Sequence, residues 1–348
     1  MFTINKRVII YPLACLLMLI AMLTGLFYSS VTVPILTILH ILAENTVGTG
    51  FLADVPGNEQ AIIWDIRTPR MLLAFFVGAS LALAGAAFQG LLRNPLADPY
   101  TIGVSSGSAL GAVSVIFLQL SFLGAFTLPI VSIISGFITL FIVFGLVRLS
   151  SRQMAVETII LAGIIVSAFI GSILSLIIAL GDQDSMTQII YWLYGSVGMR
   201  GWSYVQLLLP FFLVGSIMLL AKYRELNAFA LGEEQASYIG VNVQRGKSMI
   251  LIGASLLTGS AVAVSGTIGF VGLVIPHLVR LLVGPNHKHV LPLSMITGGT
   301  FLVIADIIAR TVISPRELPI GVITALVGAP IFALLLVRSR LARKEGGA

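Results

Sequence analysis

The sequence has few charged residues for its length. Charged residues make up 10% of the 348 residues and hydrophobic residues 57%, whereas soluble domains carry roughly 25% charged residues. This composition excludes an ordinary soluble protein and predicts a chain embedded in a membrane. The net charge of +6 does not indicate a nucleic-acid partner, because basic residues of membrane proteins concentrate in cytoplasmic loops.

Cysteine and the usual catalytic patterns are also scarce. The single cysteine, Cys15, lies in the first apolar run, which excludes a disulfide framework and a metal-thiolate cluster. The four histidines include no pair at the helical spacing of metal ligands. The sequence shows no Ser-His-Asp or paired-carboxylate pattern. We therefore expect no catalytic site, no metal site and no bound cofactor.

The chain lacks a complete phosphate-binding loop. The stretch ALGEEQASYIGVNVQRGKS, residues 230–248, ends in Gly-Lys-Ser as an ATP-binding loop does. Such a loop needs a glycine five positions before Gly246, because the four intervening residues curl around the phosphates. That position holds Val241, and Gly240 misses it by one residue. We predict a polar loop that ends at the start of a helix, and no ATP hydrolysis by this chain.

Ten apolar runs divide the chain. Open strands cannot satisfy their backbone in lipid, and the alternation of a membrane β-barrel is absent, so the runs are predicted to be helices. The eighth run is short and contains Pro276, which favours a half-helix or a re-entrant segment. The predicted fold class is all-α and polytopic, with residues 1–348 in one transmembrane domain. The predicted spans are residues 8–28, 71–92, 100–120, 125–147, 158–180, 204–221, 249–264, 270–283, 290–313 and 319–337.

The distribution of Lys and Arg predicts the orientation of these spans. The first run could belong to a signal peptide, but it is too long and lacks a clear cleavage site, so we expect a retained helix. An even number of spans puts both termini on one side, and basic residues favour the cytoplasm. With cytoplasmic termini, fifteen Lys and Arg residues lie inside. The five outside are Arg67, Arg70, Arg200, Arg310 and Arg316.

Two glycine-rich segments hint at an internal repeat. GASLALAGAAFQG begins at Gly78 and GASLLTGSAVAVSG at Gly253, about half the chain apart. Their helices are predicted to run in opposite directions, as in the inverted repeats of transporters. Small residues also recur in membrane helices because they let helices pack closely.

Three longer stretches carry a family resemblance. They are RTPRMLLAFFVGASLALAGAAFQGLLRNPLADP from Arg67, ALGEEQASYIGVN from Ala230, and IGFVGLVIPHLVRLLVGPNHKHVLP from Ile268 with the later ADIIARTVISPRELPIGVITALVGAPIFALLL. Together they resemble the permease subunits of the type II ABC importers that take up iron-siderophores, haem and cobalamin. The resemblance covers nearly the whole chain from Arg67 onward.

The resemblance implies an ABC transporter permease in the cell membrane, multi-pass, with both termini cytoplasmic. Its implied partners are two ATPase subunits, an extracytoplasmic solute-binding protein and a second permease copy or paralogue. The permease would be non-catalytic and would import its cargo by alternating access at the dimer interface. An iron-siderophore is the first choice of cargo, with haem and cobalamin as alternatives that the sequence leaves open.

Three arginines are candidates for docking the binding protein. Arg67 and Arg70 stand three residues apart before the second span, so both can face one side of a helical turn. The resemblance implies that Arg67, Arg70 and Arg310 form docking pockets for glutamates, and a guanidinium grips a carboxylate bidentately. The alternative is snorkelling or local pairing, since Asp306 lies four residues before Arg310.

Residues 222–247, here called the coupling segment, are polar and lie between two spans. Apolar residues recur there at near-helical spacing, with glycines as breaks, which predicts two short helices with an exposed apolar face. The resemblance implies that this element contacts the ATPase, whereas the alternative is a solvated loop without a partner. The residues assigned to the contact are Leu231, Gly232, Glu233, Glu234, Ala236, Ile239 and Gly240.

The connection LLRNPLADP, residues 91–99, contains two prolines and is predicted to be a fixed turn. The resemblance implies that Asn94 and Leu96 form a cytoplasmic gate, with a second constriction at Val156 and Glu157. The sequence departs from the family at that second place, where small hydroxyl residues are expected.

The alternative to an ABC importer permease is a different class of protein, an ion-coupled secondary transporter of a small organic solute. Such a protein needs ionisable groups within the membrane. The candidates are Asp306 and Glu157, both near the ends of spans.

Overall fold

The structure is a computed structural model that describes residues 6–28, 33–48, 56–150, 155–313 and 316–345. The described residues form fifteen α-helices and no strands. A π-helical segment, Ala61–Arg67, leads into α4, and a 3-10 turn, Pro99–Ile102, precedes α5. The helices are α1 (Lys6–Phe27), α2 (Ile35–Val47), α3 (Gly57–Gln60), α4 (Thr68–Leu91), α5 (Val104–Phe117), α6 (Thr127–Ser150), α7 (Val156–Leu180), α8 (Gln183–Leu193), α9 (Gly201–Ala221), α10 (Tyr223–Phe229), α11 (Glu233–Tyr238), α12 (Val243–Ser265), α13 (Val271–Val283), α14 (His287–Thr311) and α15 (Ile320–Glu345).

Seven helical stretches among the described residues are long and apolar enough to cross a membrane. Each coincides with one of the ten predicted spans. The other three predicted spans correspond to α5, α13 and the described apolar part of α15, which are shorter. The short eighth run is the 13-residue helix α13, with Pro276 inside it.

The predicted span 100–120 is wrong in its extent. Its first residues form the 3-10 turn Pro99–Ile102, and the helix itself has only 14 residues, Val104–Phe117. Gly103 separates the two with a φ of +89°, a conformation that interrupts a right-handed helix and that glycine adopts at low cost. A run of apolar residues in the sequence does not reveal such a break in the helix.

Three helices that are too short to be spans were missed, among them the four-residue helix α3. The helix α2 has 13 residues, and the helix α8 has 11. The start of α8 is fixed by Asp182, whose carboxylate accepts a hydrogen bond from the Ser185 backbone N–H at 3.0 Å. Such caps stabilise helix starts and are visible in the sequence.

Helix α4 lies at the centre of the bundle and packs against α9, α12, α13 and α14. Glycines permit these close crossings, as is usual between membrane helices. A methyl group placed on Gly78 would lie 2.3 Å from the Gly298 carbonyl oxygen of α14. One placed on Gly85 would lie 2.0 Å from the Gly272 carbonyl oxygen of α13. The two glycine-rich repeat segments fall on α4 and α12, which pack on each other.

The pair formed by α4 and α14 defines two ends of the bundle. At one end Arg70, near the start of α4, pairs with Asp306 near the end of α14. At the other end Gly90 of α4 faces the imidazole of His287 at the start of α14. Helix α10 packs on both helices there, and the His287 backbone N–H donates to Asn227 of α10 at 2.9 Å. We call these the arginine end and the α11 end.

Candidate functional sites at the two ends of the bundle

Arg70 is the centre of the arginine end and binds two carboxylates. Its Nε and Nη2 donate to Asp306 at 3.1 and 2.9 Å. Its Nη1 and Nη2 donate to Glu317 at 2.8 and 3.0 Å. The Asp306 side chain is 2% exposed and that of Glu317 is 47% exposed. One guanidinium therefore joins α4, α14 and the segment that precedes α15.

Arg67 and Arg310 hold the end of α1. Arg67 Nη1 donates to the Leu26 carbonyl at 2.7 Å, and Arg310 Nη2 donates to the Gly25 carbonyl. The last carbonyls of a helix have no partner within it, and cations stabilise that end. Both arginine side chains are buried. Both side chains therefore contact the carbonyl end of α1, which is distant from them in the sequence.

The Asp306 carboxylate pairs differently from what sequence proximity indicated. It lies 2.9 Å from Arg70, 236 residues away in the chain, and 3.7 Å from the Nε of Arg310, its neighbour on the helix. Asp306 and Glu317 thus form one charged cluster with Arg70 and Arg310. Hydrogen bonds from Arg70 hold the pKa of Glu317 below its ordinary value.

A cleft lies beside Glu317 at the arginine end. It has a volume of about 450 Å³ and is bordered by α8, Arg200 and the segment that leads into α15. Trp192 and Tyr191 of α8 line it together with Glu317. The sequence pattern did not indicate this cleft, because α8 was not predicted.

The coupling segment contains the predicted pair of short helices, α10 and α11, with a glycine between them. Gly232 has a φ of +121° and Gly240 a φ of +88°, so both predicted breaks are positions that favour glycine. The predicted apolar face is partly wrong, because Ala236 is fully buried. The large hydrophobic side chains exposed there are Leu231 at 67%, Tyr238 at 80% and Ile239 at 64%.

The lysine of the Gly-Lys-Ser tripeptide has a structural partner. Lys247 lies near the start of α12, is buried, and donates through Nζ to Glu233 of α11. Glu234 points elsewhere and accepts a hydrogen bond from the Tyr238 hydroxyl at 3.1 Å. Lys247 therefore ties α11 to a membrane helix, a role that spacing alone did not reveal.

The predicted gate residues lie on a turn and on a helix start. Asn94 Oδ1 accepts a hydrogen bond from the Leu96 backbone N–H at 2.9 Å, and both residues are exposed. Val156 begins α7 and Glu157 is exposed in its first turn. The turn Pro99–Ile102 packs on α7.

A half-buried tyrosine and an aspartate fix the connection between α4 and α5. The Tyr100 hydroxyl donates to the Ile268 carbonyl at 2.8 Å, and the Asp98 carboxylate accepts from the Tyr100 backbone N–H at 3.0 Å. Burial raises the pKa of Asp98 to about 6. The connection is a fixed turn, as its prolines predicted.

These features define a helical membrane protein with one charged cluster and one exposed apolar segment at opposite ends. The chain belongs to the FecCD transport family, whose family model matches residues 16–338. It is a non-catalytic permease subunit of an ABC-type importer. The resemblance, the fold class and the absence of catalysis inferred from the sequence are confirmed by this membership.

Named relatives cover most of the chain. An uncharacterized ABC transporter permease protein, YvrB of Bacillus subtilis, is 51% identical over 96% of this chain and 95% of its own length. The cobalamin import system permease protein of Halobacterium salinarum is 42% identical over 83% of this chain and 76% of its own. The hemin transport system permease protein of Yersinia pestis is 39% identical, over 80% and 84%.

A solved structure has the same architecture. It is described as an inward-facing conformation of a metal-chelate type ABC transporter, and it superposes with a TM-score of 0.82 at 34% sequence identity. The match covers 95% of this chain and 99% of that one. Membership of the family implies ATPase, substrate-binding and permease partners in a cell membrane.

Proposed function

We propose that this permease imports its cargo by alternating access, with ATP hydrolysed by two ATPase subunits and cargo delivered by an extracytoplasmic solute-binding protein. A second permease copy or paralogue completes the path. One observation carries the proposal: two different surfaces, a charged cluster and an exposed apolar turn, lie at opposite ends of the α4 and α14 pair. A permease that receives cargo at one face and energy at the other needs such an arrangement.

The α11 end is proposed to be cytoplasmic, with both termini on that side. Exposed Leu231, Tyr238 and Ile239 sit on a polar segment between two spans. Exposed apolar groups that cluster on a water-facing segment favour a protein partner. Together with Gly232, Glu233, Glu234 and Gly240 they form the proposed ATPase contact, and buried Ala236 supports the helix from within.

The arginine end is proposed to dock the binding protein. The side chains of Arg67, Arg70 and Arg310 lie together at this end, and that of Arg70 is partly exposed. A guanidinium binds a carboxylate bidentately, and a charged group at the surface speeds encounter with a partner of opposite charge. Arg70 is the proposed direct contact, because its side chain is 12% exposed and that of Arg310 only 5%. Arg67 and Arg310 hold the end of α1 in place.

The cytoplasmic gate is proposed to consist of the exposed turn at Asn94 and Leu96 and the start of α7 at Val156 and Glu157. The turn is stiffened by its Asn94 side-chain hydrogen bond, and α7 packs on the chain that follows it. Movement of α7 would therefore displace both parts together. That coupling supports a gate on these residues.

The proposed cargo is an iron-siderophore, with haem or cobalamin as alternatives. Relatives 37% to 42% identical to this chain are named for cobalamin, hemin, molybdate and ferric dicitrate. Three of these are metal ions held by an organic ligand, whereas molybdate is a small oxyanion. The solved structure described as a metal-chelate type ABC transporter supports a cargo in which an organic ligand holds a metal ion.

Ion coupling has less support in the structure. Asp306, one candidate ion carrier, is held by Arg70 and lies near Arg310, so it already has two guanidinium partners. Glu157 is exposed at a helix start. Neither group resembles an isolated proton carrier within the membrane.

Reconstitution in liposomes tests the proposal. The permease is combined with its co-purified ATPase and with candidate binding proteins, each loaded with a ferric siderophore, haem or cobalamin. We expect uptake of one cargo only when ATP, ATPase and binding protein are all present. Uptake by the permease alone, driven by a proton or sodium gradient, would overturn the proposal.

A further inference from the structure

The two carboxylates on Arg70 are not equally fixed. Asp306 lies within α14, is almost completely buried, and has a second guanidinium, that of Arg310, at 3.7 Å. Glu317 lies on the non-helical segment 316–319 and its side chain is 47% exposed. Separating a water-exposed carboxylate from its guanidinium costs less free energy than separating a buried one. Glu317 is therefore the replaceable partner of Arg70.

The guanidinium of Arg70 has little capacity left for a third carboxylate. An arginine has five N–H donors. The Nε–H and both Nη2 hydrogens are engaged by Asp306 and Glu317, and one Nη1 hydrogen is engaged by Glu317. One Nη1 hydrogen remains, so an incoming carboxylate can gain a bidentate grip only if an internal carboxylate leaves.

We propose that Glu317 is a built-in substitute for the partner's carboxylate, and that docking proceeds by exchange: an acidic side chain of the binding protein displaces Glu317 from Arg70. The inference rests on the proposed docking function and adds its mechanism. Glu317 keeps Arg70 oriented and neutralised in the undocked transporter. The displaced Glu317 side chain remains at the surface beside the cleft that it lines with Tyr191 and Trp192.

The exchange would also change the attachment of α15. The segment that carries Glu317 is tied to the end of α14 by the Leu318 N–H, which donates to the Ala309 carbonyl at 2.9 Å. Just beyond it, the Ile320 N–H donates to the Gly195 carbonyl at 3.1 Å. Glu317 adds a third anchor, to α4. Its release would remove that anchor, so docking acts on the start of a helix rather than on a surface side chain alone.

The test asks whether removing the charge of Glu317 raises or lowers the affinity of the permease for the solute-binding protein. The permease with its ATPase is placed in nanodiscs, and the dissociation constant of the solute-binding protein that supports its uptake is measured. Glu317→Gln removes the competing charge, so the binding protein should bind about three- to tenfold tighter. Asp65→Asn is the control, since Asp65 is an exposed acid at the same end for which the described residues show no ion pair, and it should leave the affinity unchanged.

The outcomes separate this inference from the docking proposal. Arg70→Gln should weaken binding strongly, and unchanged binding in that variant would overturn docking at Arg70 itself. If Arg70→Gln weakens binding but Glu317→Gln fails to tighten it, docking stands and the exchange is wrong. An equal gain with Asp65→Asn would also overturn the exchange. The gain would then follow from the loss of any negative charge at this end, and not from the release of Arg70. A gain of affinity cannot arise from misfolding, so a loss of fold does not imitate the expected result.

Discussion

The two ends of the α4 and α14 pair differ in how their candidate residues are engaged. At the arginine end, the charged side chains bond to one another and to helix carbonyls. The coupling segment instead exposes Leu231, Tyr238 and Ile239. The proposals assign a different mode of recognition to each end: exchange of charge partners, which salt weakens, and burial of apolar surface, which salt affects little.

The largest effect is expected from a change of backbone at the coupling segment. Gly232→Val places a β-branched residue at a φ of +121°, a conformation that side chains rarely tolerate. The orientation of α11 against α10 should change, and uptake in liposomes should fall by about tenfold or more. Gly145→Val is the control, because Gly145 lies in α6 with open space around its Cβ position. Uptake that survives Gly232→Val would remove the role assigned to this turn.

A large effect specific to the other end is expected from Arg70→Lys. Lysine keeps the charge but cannot bind two carboxylates with a planar fork. Affinity for the binding protein should fall about tenfold, and binding by the wild type should weaken with added salt. Co-purification of the ATPase should not change in either condition. If salt or Arg70→Lys released the ATPase instead, the two ends would not differ as described.

A smaller effect is expected from the ion pair that ties α11 to α12. Glu233→Gln removes the charge that faces buried Lys247, so the coupling segment should be held less firmly. We expect transport per ATP hydrolysed to fall about threefold while the ATPase still co-purifies. Glu225→Gln is the matched control, since Glu225 pairs at 2.6 Å with Lys222, the residue just before its own helix α10. Equal effects of the two changes would contradict a specific tie.

The smallest effect is a pH dependence at the α11 end. The pKa of Asp98, about 6, lies above its ordinary value of 3.8, so the native fold favours the protonated carboxyl. The stabilisation that Asp98 contributes to the native fold is complete below about pH 4 and is lost as the pH rises through 6. Asp98→Asn stays neutral and keeps an acceptor for the Tyr100 N–H. The variant should therefore unfold at a higher temperature than the wild type at pH 7.5, and at a similar temperature at pH 4. A constant difference across this range would contradict the burial of a charged Asp98.

Much of the fold could be predicted from the sequence because lipid imposes a simple rule on backbone hydrogen bonds. Long apolar runs predicted the seven spans. Gly232 and Gly240 were predicted as helix breaks, and both have a positive φ in the structure. The break at Gly103 could not be seen in a hydropathy run. Helices α2 and α8 were missed because neither is long enough to cross a membrane.

The candidate sites were predicted less completely, because their partners are distant in the chain. Arg70 was recognised, but Asp306 and Glu317 lie 236 and 247 residues away from it, and spacing carries no information about such pairs. Ala236 fitted the helical spacing of an exposed face but is buried by tertiary packing. Spacing placed Lys247 outside a phosphate-binding loop but did not predict its ion pair with Glu233, which depends on how α11 folds back on α12.

The most direct test of the central claim is the energy source of uptake in liposomes. Cargo uptake is measured for the wild type and for a Leu231→Ser, Ile239→Ser variant, each with and without the ATPase and ATP. We predict uptake by the wild type only with ATPase, ATP and binding protein, and loss of uptake in the variant together with loss of ATPase co-purification. ATP-independent uptake by the wild-type permease alone, or full uptake by the variant, would contradict the account.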